Sequence, residues 1–230
     1  MREEPLFVSM TMDYNLYRFG RVLEAVNSKS NSSLKGKQWL DLGCHNGTFA
    51  RLLFEHGVFA TGVDAYSLEL KTENTWEYVQ HDLDTGIIPF ANQTFDIVSA
   101  MEIIEHITDT DKFLDEIFRV LKPDGLLVIT TPNICMLKNR LRVPLGMYPY
   151  GCEYRNLIHH VRPYNLACLS SHLKGHGFRI VLSRGENLLP HKLVILASCF
   201  MKISELLSEF FPSLCSNLVV VCVKHKMDSV

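Results

Sequence analysis

The run Gln38-Trp39-Leu40-Asp41-Leu42-Gly43-Cys44-His45-Asn46-Gly47 constrains the fold more than any other part of the chain. Gln38 to Leu42 reads as a buried strand, and Thr48 to Glu55 as a helix with Phe49, Leu52 and Leu53 on one face. Glycines at 43 and 47 let the backbone turn tightly and approach a ligand without a Cβ in the way. The helix N-terminus behind them offers unpaired N–H donors. About 20 residues on, Gly62-Val63-Asp64 closes a second strand (Phe59 to Val63) with a carboxylate.

The rest of the chain keeps this alternation. Glu77 to Gln80 and Phe95 to Ala100 read as strands three and four. Thr110 can cap a helix whose apolar positions are Phe113, Leu114, Ile117, Phe118 and Leu121. Pro123-Asp124-Gly125 breaks it before strand five, Leu126 to Ile129. Leu166 to Gly175 is helical again, Phe178 to Leu182 extended, and Leu218 to Val223 a last strand. There is no internal repeat. Alternation of this kind predicts an α/β, doubly wound, mostly parallel sheet. Such sheets bind ligands beyond the carboxyl ends of the strands, where strand order reverses.

Length and composition set the frame. The 230 residues fit one domain with a sizeable core. Residues 1–33 read as an N-terminal helical segment, around Tyr14 to Val26, with a polar Asn27-to-Ser33 linker; 34–230 read as the main domain. A net charge of −2 gives no general pull toward nucleic acid or an anionic membrane. Seven cysteines without a Cys-x-x-Cys pair read as reduced thiols, which together with the lack of a signal pattern predicts a cytoplasmic protein. The longest uncharged apolar run, Leu193 to Met201, is far short of the roughly 20 residues a membrane span needs.

The loop after strand one also sorts ligands. A dinucleotide site wants Gly-x-Gly-x-x-Gly, but from Gly43 the later positions are His45 and Thr48. An acid before Gly43, a glycine at 47 and a carboxylate at 64 suit a ligand with an amino acid and one ribose instead. The stretches WLDLGCHNGTFARLL, GVDA, FDIVSAMEIIEHI and FLDEIFRVLKPDGLLVITTPN resemble class I S-adenosylmethionine-dependent methyltransferases of the ubiquinone-biosynthesis and glycan-biosynthesis type. The resemblance spans Trp39 to Asn133 and is weak at both ends. It implies a Rossmann-like sheet of seven strands with the last antiparallel, and a methyltransferase that uses S-adenosyl-L-methionine (SAM). It implies that Asp41, Gly43, Cys44 and Gly47 surround the methionine portion and that Asp64 holds the ribose. Ala65 would lie beside the adenine, Asp82 would face its amino group with Leu83 nearby, and Met101 would line the pocket. The family usually has glycine where this chain has His45, so the loop must carry a side chain there, turned to solvent and without a catalytic role.

Glu102-Ile103-Ile104-Glu105-His106 is the segment richest in chemistry. If helical, it places Glu102, Glu105 and His106 on one face. Two carboxylates and an imidazole there could hold Mg²⁺ or Mn²⁺. Relatives with a similar Glu-x-x-Glu-His include polyprenyl-catechol O-methyltransferases and small-RNA 2′-O-methyltransferases, the latter with a later histidine; here His159-His160 lies downstream. The other reading makes His106, His159 or His160 a general base without a metal.

Pro132 to Tyr164 is a long insertion that carries Lys138, Arg140, Arg142, Arg155 and Arg162 interleaved with Tyr148, Tyr150, Tyr154 and Tyr164. Loops of this length are usually functional, so it is expected to face substrate. Residues 188–213 read as a nearly all-apolar helix with a narrow stripe of Ser198, Lys202, Glu205 and Glu209. It could pack on the core, pair with a second subunit, or rest on a membrane surface. Three functions follow: methyl transfer to a small molecule, with oxygen the favoured acceptor; metal-dependent RNA 2′-O-methylation, disfavoured by the charge; or a non-catalytic partner subunit.

Overall fold

The computed structural model describes residues 14–30, 32–67, 76–151, 160–188, 204 and 206–225. Its strands are β1 (Gln38–Leu42), β2 (Phe59–Asp64), β3 (Glu77–Gln80), β4 (Phe95–Met101), β5 (Leu121–Pro132), β6 (Phe178–Glu186) and β7 (Asn217–Lys224). The helices are α1 (Tyr14–Asn27), α2 (Thr48–Glu55), α3 (Thr110–Val120), α4 (Leu137–Arg142) and α5 (Leu166–Gly175). One seven-stranded sheet runs in the order β3-β2-β1-β4-β5-β7-β6. β1 to β5 pair in parallel, and β7 lies antiparallel between β5 and β6. This is the doubly wound sheet with an antiparallel last strand that the sequence predicted.

Strand side chains alternate between two faces, and each face has its own cover. Leu40, Leu42, Val98, Ala100, Leu127, Ile129, Val220 and Cys222 point to the side closed by Phe113, Leu114 and Ile117 of α3 and Leu169 and Leu173 of α5. Trp39, Ile97, Val128, Val219 and Val221 point to the other side, under Phe49, Ala50 and Leu53 of α2. Val22, Ala25 and Val26 of α1 complete that second cluster, so the N-terminal helix is part of the core and does not stand apart from it.

Two local expectations are corrected. Asp109, not Thr110, caps α3: its carboxylate accepts the Lys112 amide at 3.0 Å. Leu121 is not helical but extended, opposite Phe95; the ladder resumes with Leu126 opposite Ile97, so Lys122 to Gly125 bulge out of it. Of 188–213, only residues 188, 204 and 206–213 are among those described, with 204 and 206–210 helical; Ser198 and Lys202 lie outside. No helix among the described residues is long and apolar enough to cross a membrane.

Strand order reverses between β1 and β4. The loops that follow those two strands therefore diverge from a shared crevice, the position where such sheets take ligands.

Candidate active site

The loop after β1 folds by left-handed residues: φ is +73° at Gly43, +48° at His45 and +71° at Gly47. The Gly43 and Cys44 amides donate to the Val63 carbonyl at 2.8 and 3.1 Å. The His45 amide donates to Asp64 Oδ2 at 2.8 Å, and the Tyr66 amide to Asp64 Oδ1 at 3.2 Å. The Asp64 carboxylate is thus held at the strand end by the loop it serves, and each oxygen keeps acceptor capacity for a hydroxyl. The His45 side chain is exposed.

The glycines answer to the protein as well as to a ligand. A Cβ on Gly47 would overlap the Trp76 indole, and one on Gly43 would lie 3.0 Å from Ile103 Cδ1. Gly62 makes room for Cys44, whose Sγ would be 2.7 Å from an added Cβ. The Cys44 thiol is buried, and its pKa is pushed up by that burial and by the charges of Asp41 and Asp64.

Beneath the loop, Asp41 is 1% exposed. It accepts the Ser99 hydroxyl at 2.6 Å, while Trp39 Nε1–H donates to the same Ser99 oxygen at 2.9 Å. Burial raises the Asp41 pKa from 3.8 to about 7; the Ser99 hydrogen bond opposes this and the Asp64 charge adds to it. A carboxyl poised near neutrality can gain charge when a cation comes beside it.

On the other side of the crevice, Asp82 is exposed, and its Oδ1 accepts the Asp84 amide at 2.9 Å. Leu83 beside it is buried. The Ala65 carbonyl accepts from Gln80 Nε2 at 3.1 Å, and Met101 ends β4, half-buried. Asp84 ties this wall to the loop after β4, accepting the Thr108 amide at 2.8 Å and hydroxyl at 3.0 Å.

The expectation that Glu102, Glu105 and His106 share one helical face is not met. Glu102 has φ +52°, outside the helical region, and only Ile104–His106 forms a single 3₁₀ turn. The left-handed residue separates the two glutamates. Glu102 accepts Thr130 Oγ1 at 3.0 Å and pairs with Arg18 of α1 at 3.4 Å. Burial raises its pKa against the pull of Arg18. Glu105 turns the other way: Oε2 accepts the Thr131 hydroxyl at 2.9 Å, while Oε1 is buried with no hydrogen-bond partner. Its pKa is pushed up to about 8, by burial first and then by the Glu102 charge.

His160 joins Glu105 where Glu102 does not. The His106 and His160 rings meet edge to face, with centroids 4.9 Å apart. One ligand atom from each of Glu105, His106 and His160 lies within 4.8 Å of the others. The amides of Val161 and Arg162 donate to the Glu105 carbonyl at 2.8 and 3.2 Å, which fixes this approach. Next to the cluster opens a cavity of about 260 Å³, lined by Glu105, His160, Pro132, Met136, Tyr150 and Tyr164 among others. Its lining is predominantly apolar with a few polar groups, the usual character of a small-molecule site.

The described basic side chains of the insertion engage the chain itself. Arg140 donates to the Cys135 and Ser213 carbonyls, Arg142 to the Tyr148 carbonyl, and Arg162 to Thr110 Oγ1. Lys138 lies over the Tyr150 ring at 3.6 Å. Tyr154, Arg155 and His159 lie outside the described residues. Sequence reasoning missed Arg18, Ser99, Ile103 and Trp76. Only Ser99 carried a hint, as a lone hydroxyl in an apolar strand.

The sequence model of the methyltransferase-domain family matches residues 14–183. The chain belongs to this family. A ubiquinone biosynthesis O-methyltransferase of Coxiella burnetii is 36% identical over 107 residues, covering 44% of this chain and 46% of that protein. One of Rhodopseudomonas palustris is 31% identical over 137 residues, covering 57% of this chain and 52% of its own length. The chain thus spans about half the length of these curated relatives. Phosphoethanolamine N-methyltransferase 2 of Haemonchus contortus, solved with SAM, superposes with a TM-score of 0.63 at 18% identity, over 90% of this chain and 52% of its own. That likeness concerns the fold.

Proposed function

We propose that the protein uses SAM to methylate an oxygen of a small molecule seated in the cavity beside Glu105 and His160. The observation that carries this reading is the largely apolar cavity lined by Glu105 and His160, with the His106 ring against His160 on the segment that follows β4. The cradle fits SAM: left-handed glycines 43 and 47 keep the loop thin, Asp64 offers both carboxylate oxygens to a ribose, and Asp82 has one oxygen free of the Asp84 amide. When bound, SAM supplies an already activated methyl sulfonium, so alignment can provide most of the acceleration.

The chain's own residues then have three tasks. Asp41, Asp64 and Asp82 orient the donor. The cavity walls, Met136, Tyr150 and Tyr164, hold the acceptor and exclude water. His160 or His106 takes the acceptor's hydroxyl proton, the step a poor oxygen nucleophile requires.

Glu105, His106 and His160 also form a donor set suited to a divalent cation such as Mn²⁺ or Mg²⁺, and the unpartnered Glu105 Oε1 supports that reading. Such an ion would lower the pKa of an acceptor hydroxyl. Glu102 is not in the set as it stands. The engagement of Arg140, Arg142 and Arg162 within the chain favours a small acceptor over RNA.

The test is transfer of labelled methyl from SAM to a panel of catechols, sugars and lipid-linked hydroxyl compounds. His160→Ala should lower kcat by about 10²-fold or more on an accepted substrate. Unchanged turnover in both His160→Ala and His106→Ala would remove the proposed base. Turnover that survives both chelation and Glu105→Gln would make the Glu105 cluster structural.

A further inference from the structure

A second cluster of histidine and carboxylate lies between the first half of α3 and the C-terminal end of α5 and plays no part in the reading above. Asp111 and Asp115 are one helical turn apart on α3; His172 of α5 and His176, its C-terminal cap, are one turn apart opposite them. His172 Nε2 and His176 Nε2 both point at Asp111 Oδ1, at 2.7 and 3.1 Å. The two rings meet edge to face at 5.2 Å, and one ligand atom from each of the three residues lies within 4.8 Å of the others.

We propose that Asp111, His172 and His176 bind a divalent transition-metal ion of the zinc class, with water completing the coordination. Three features of the geometry support this.

The first is convergence. Two imidazole nitrogens aim at one carboxylate oxygen, and a metal at their centre replaces the protons that now fill that space. Zinc bonds of ~2.0–2.1 Å require ligand atoms about 3.3 Å apart, so the 2.7 Å His172–Asp111 contact must open by about 0.6 Å and the 3.1 Å His176–Asp111 contact by about 0.2 Å. Asp111, 68% exposed, is free to move that far.

The second is an outer layer already in place. Ligating histidines ordinarily fix their second nitrogen on a carboxylate or similar group. Here His176 Nδ1 contacts Asp115 Oδ1 at 2.7 Å, and His172 Nδ1 contacts the hydroxyl of the buried Tyr164 at 3.1 Å. Both rings are therefore oriented with Nε2 toward the centre.

The third is chemistry. Two imidazoles with one carboxylate are a donor set that suits zinc, cobalt or nickel. His176 has a carboxylate on each nitrogen, Asp111 at Nε2 and Asp115 at Nδ1.

The consequence is a staple. α3 follows the Glu105–His106 turn, and α5 follows the segment from His160 to Tyr164 that walls the cavity. A metal between the first turn of α3 and the C-terminal end of α5 ties those two supports together. The proposal does not depend on methyl transfer.

The experiment is titration of the full chain with zinc alone in the presence of a chromogenic chelator, with cobalt absorption as a second readout of coordination. One zinc per chain that depends on Asp111 and His172 is expected at neutral pH, apart from any ion held by Glu105, His106 and His160. Asp111→Asn, at an exposed position, and His172→Gln should each weaken it at least tenfold, and Asp115→Asn by roughly tenfold as an outer partner. His106→Ala and His160→Ala should leave this site intact. Zinc should also raise the melting temperature of the wild type and not of Asp111→Asn. If zinc does not bind, or binding survives Asp111→Asn and His172→Gln, or is lost in His160→Ala, the cluster is an ion pair and the proposal falls.

Discussion

Asp41 offers a measurement that joins the fold to the site. Its carboxyl is 1% exposed and is raised from 3.8 to about 7, chiefly by burial. The folded protein therefore holds a proton there that the unfolded chain releases once pH exceeds about 4. Stability from this group is fully present below the unfolded value and declines as pH rises toward the folded one. The slope is about 1.4 kcal/mol per pH unit while the folded carboxyl stays protonated and flattens near pH 7. Between pH 5 and 7 the loss amounts to roughly 2 kcal/mol. Asp41→Asn keeps an oxygen to accept the Ser99 hydroxyl and cannot titrate, so this component disappears. Urea unfolding of both proteins at pH 5 and pH 7, without SAM, isolates it: other groups contribute equally to each and cancel in the double difference. With a urea slope near 2 kcal/mol/M, the wild-type midpoint should fall by about 1 M more than that of the variant. Parallel shifts in the two proteins would refute the assignment of a protonated Asp41 to the folded state.

Further outcomes are expected at neighbouring positions. Ser99→Ala removes the hydroxyl that both accepts from Trp39 and donates to Asp41, and should cost about 1–3 kcal/mol in chemical unfolding. Gly47→Ala places a Cβ at φ +71° against the Trp76 indole; it should lower stability by roughly 2 kcal/mol or more and shift tryptophan fluorescence. Asp64→Asn should weaken SAM about 10- to 100-fold by calorimetry, with circular dichroism unchanged.

Much of the fold was legible because the strands carry it locally. Apolar runs such as Leu218 to Val223 and Leu126 to Ile129 are buried on both faces, and period and length mark them without reference to partners. The turn after β1 and the carboxylate at the end of β2 were legible for the same reason, since Gly43, Gly47 and Asp64 sit at fixed offsets from strand ends. The Glu102 segment was not: a left-handed residue other than glycine leaves no composition signal, and it decides which glutamate joins the histidines. Arg18 stayed hidden because its contact with Thr130 spans 112 residues of sequence. The arginines of the insertion read as substrate-facing by type, yet a loop's carbonyls also need donors, and Arg140 and Arg142 supply them.

The central claim is that the crevice between the loops after β1 and β4 takes SAM. Titration calorimetry of the full chain with SAM tests it most directly. One site per chain is expected, weakened in Asp64→Asn. No heat of binding at millimolar SAM would contradict the claim, and with it every catalytic role assigned to Glu105, His106 and His160.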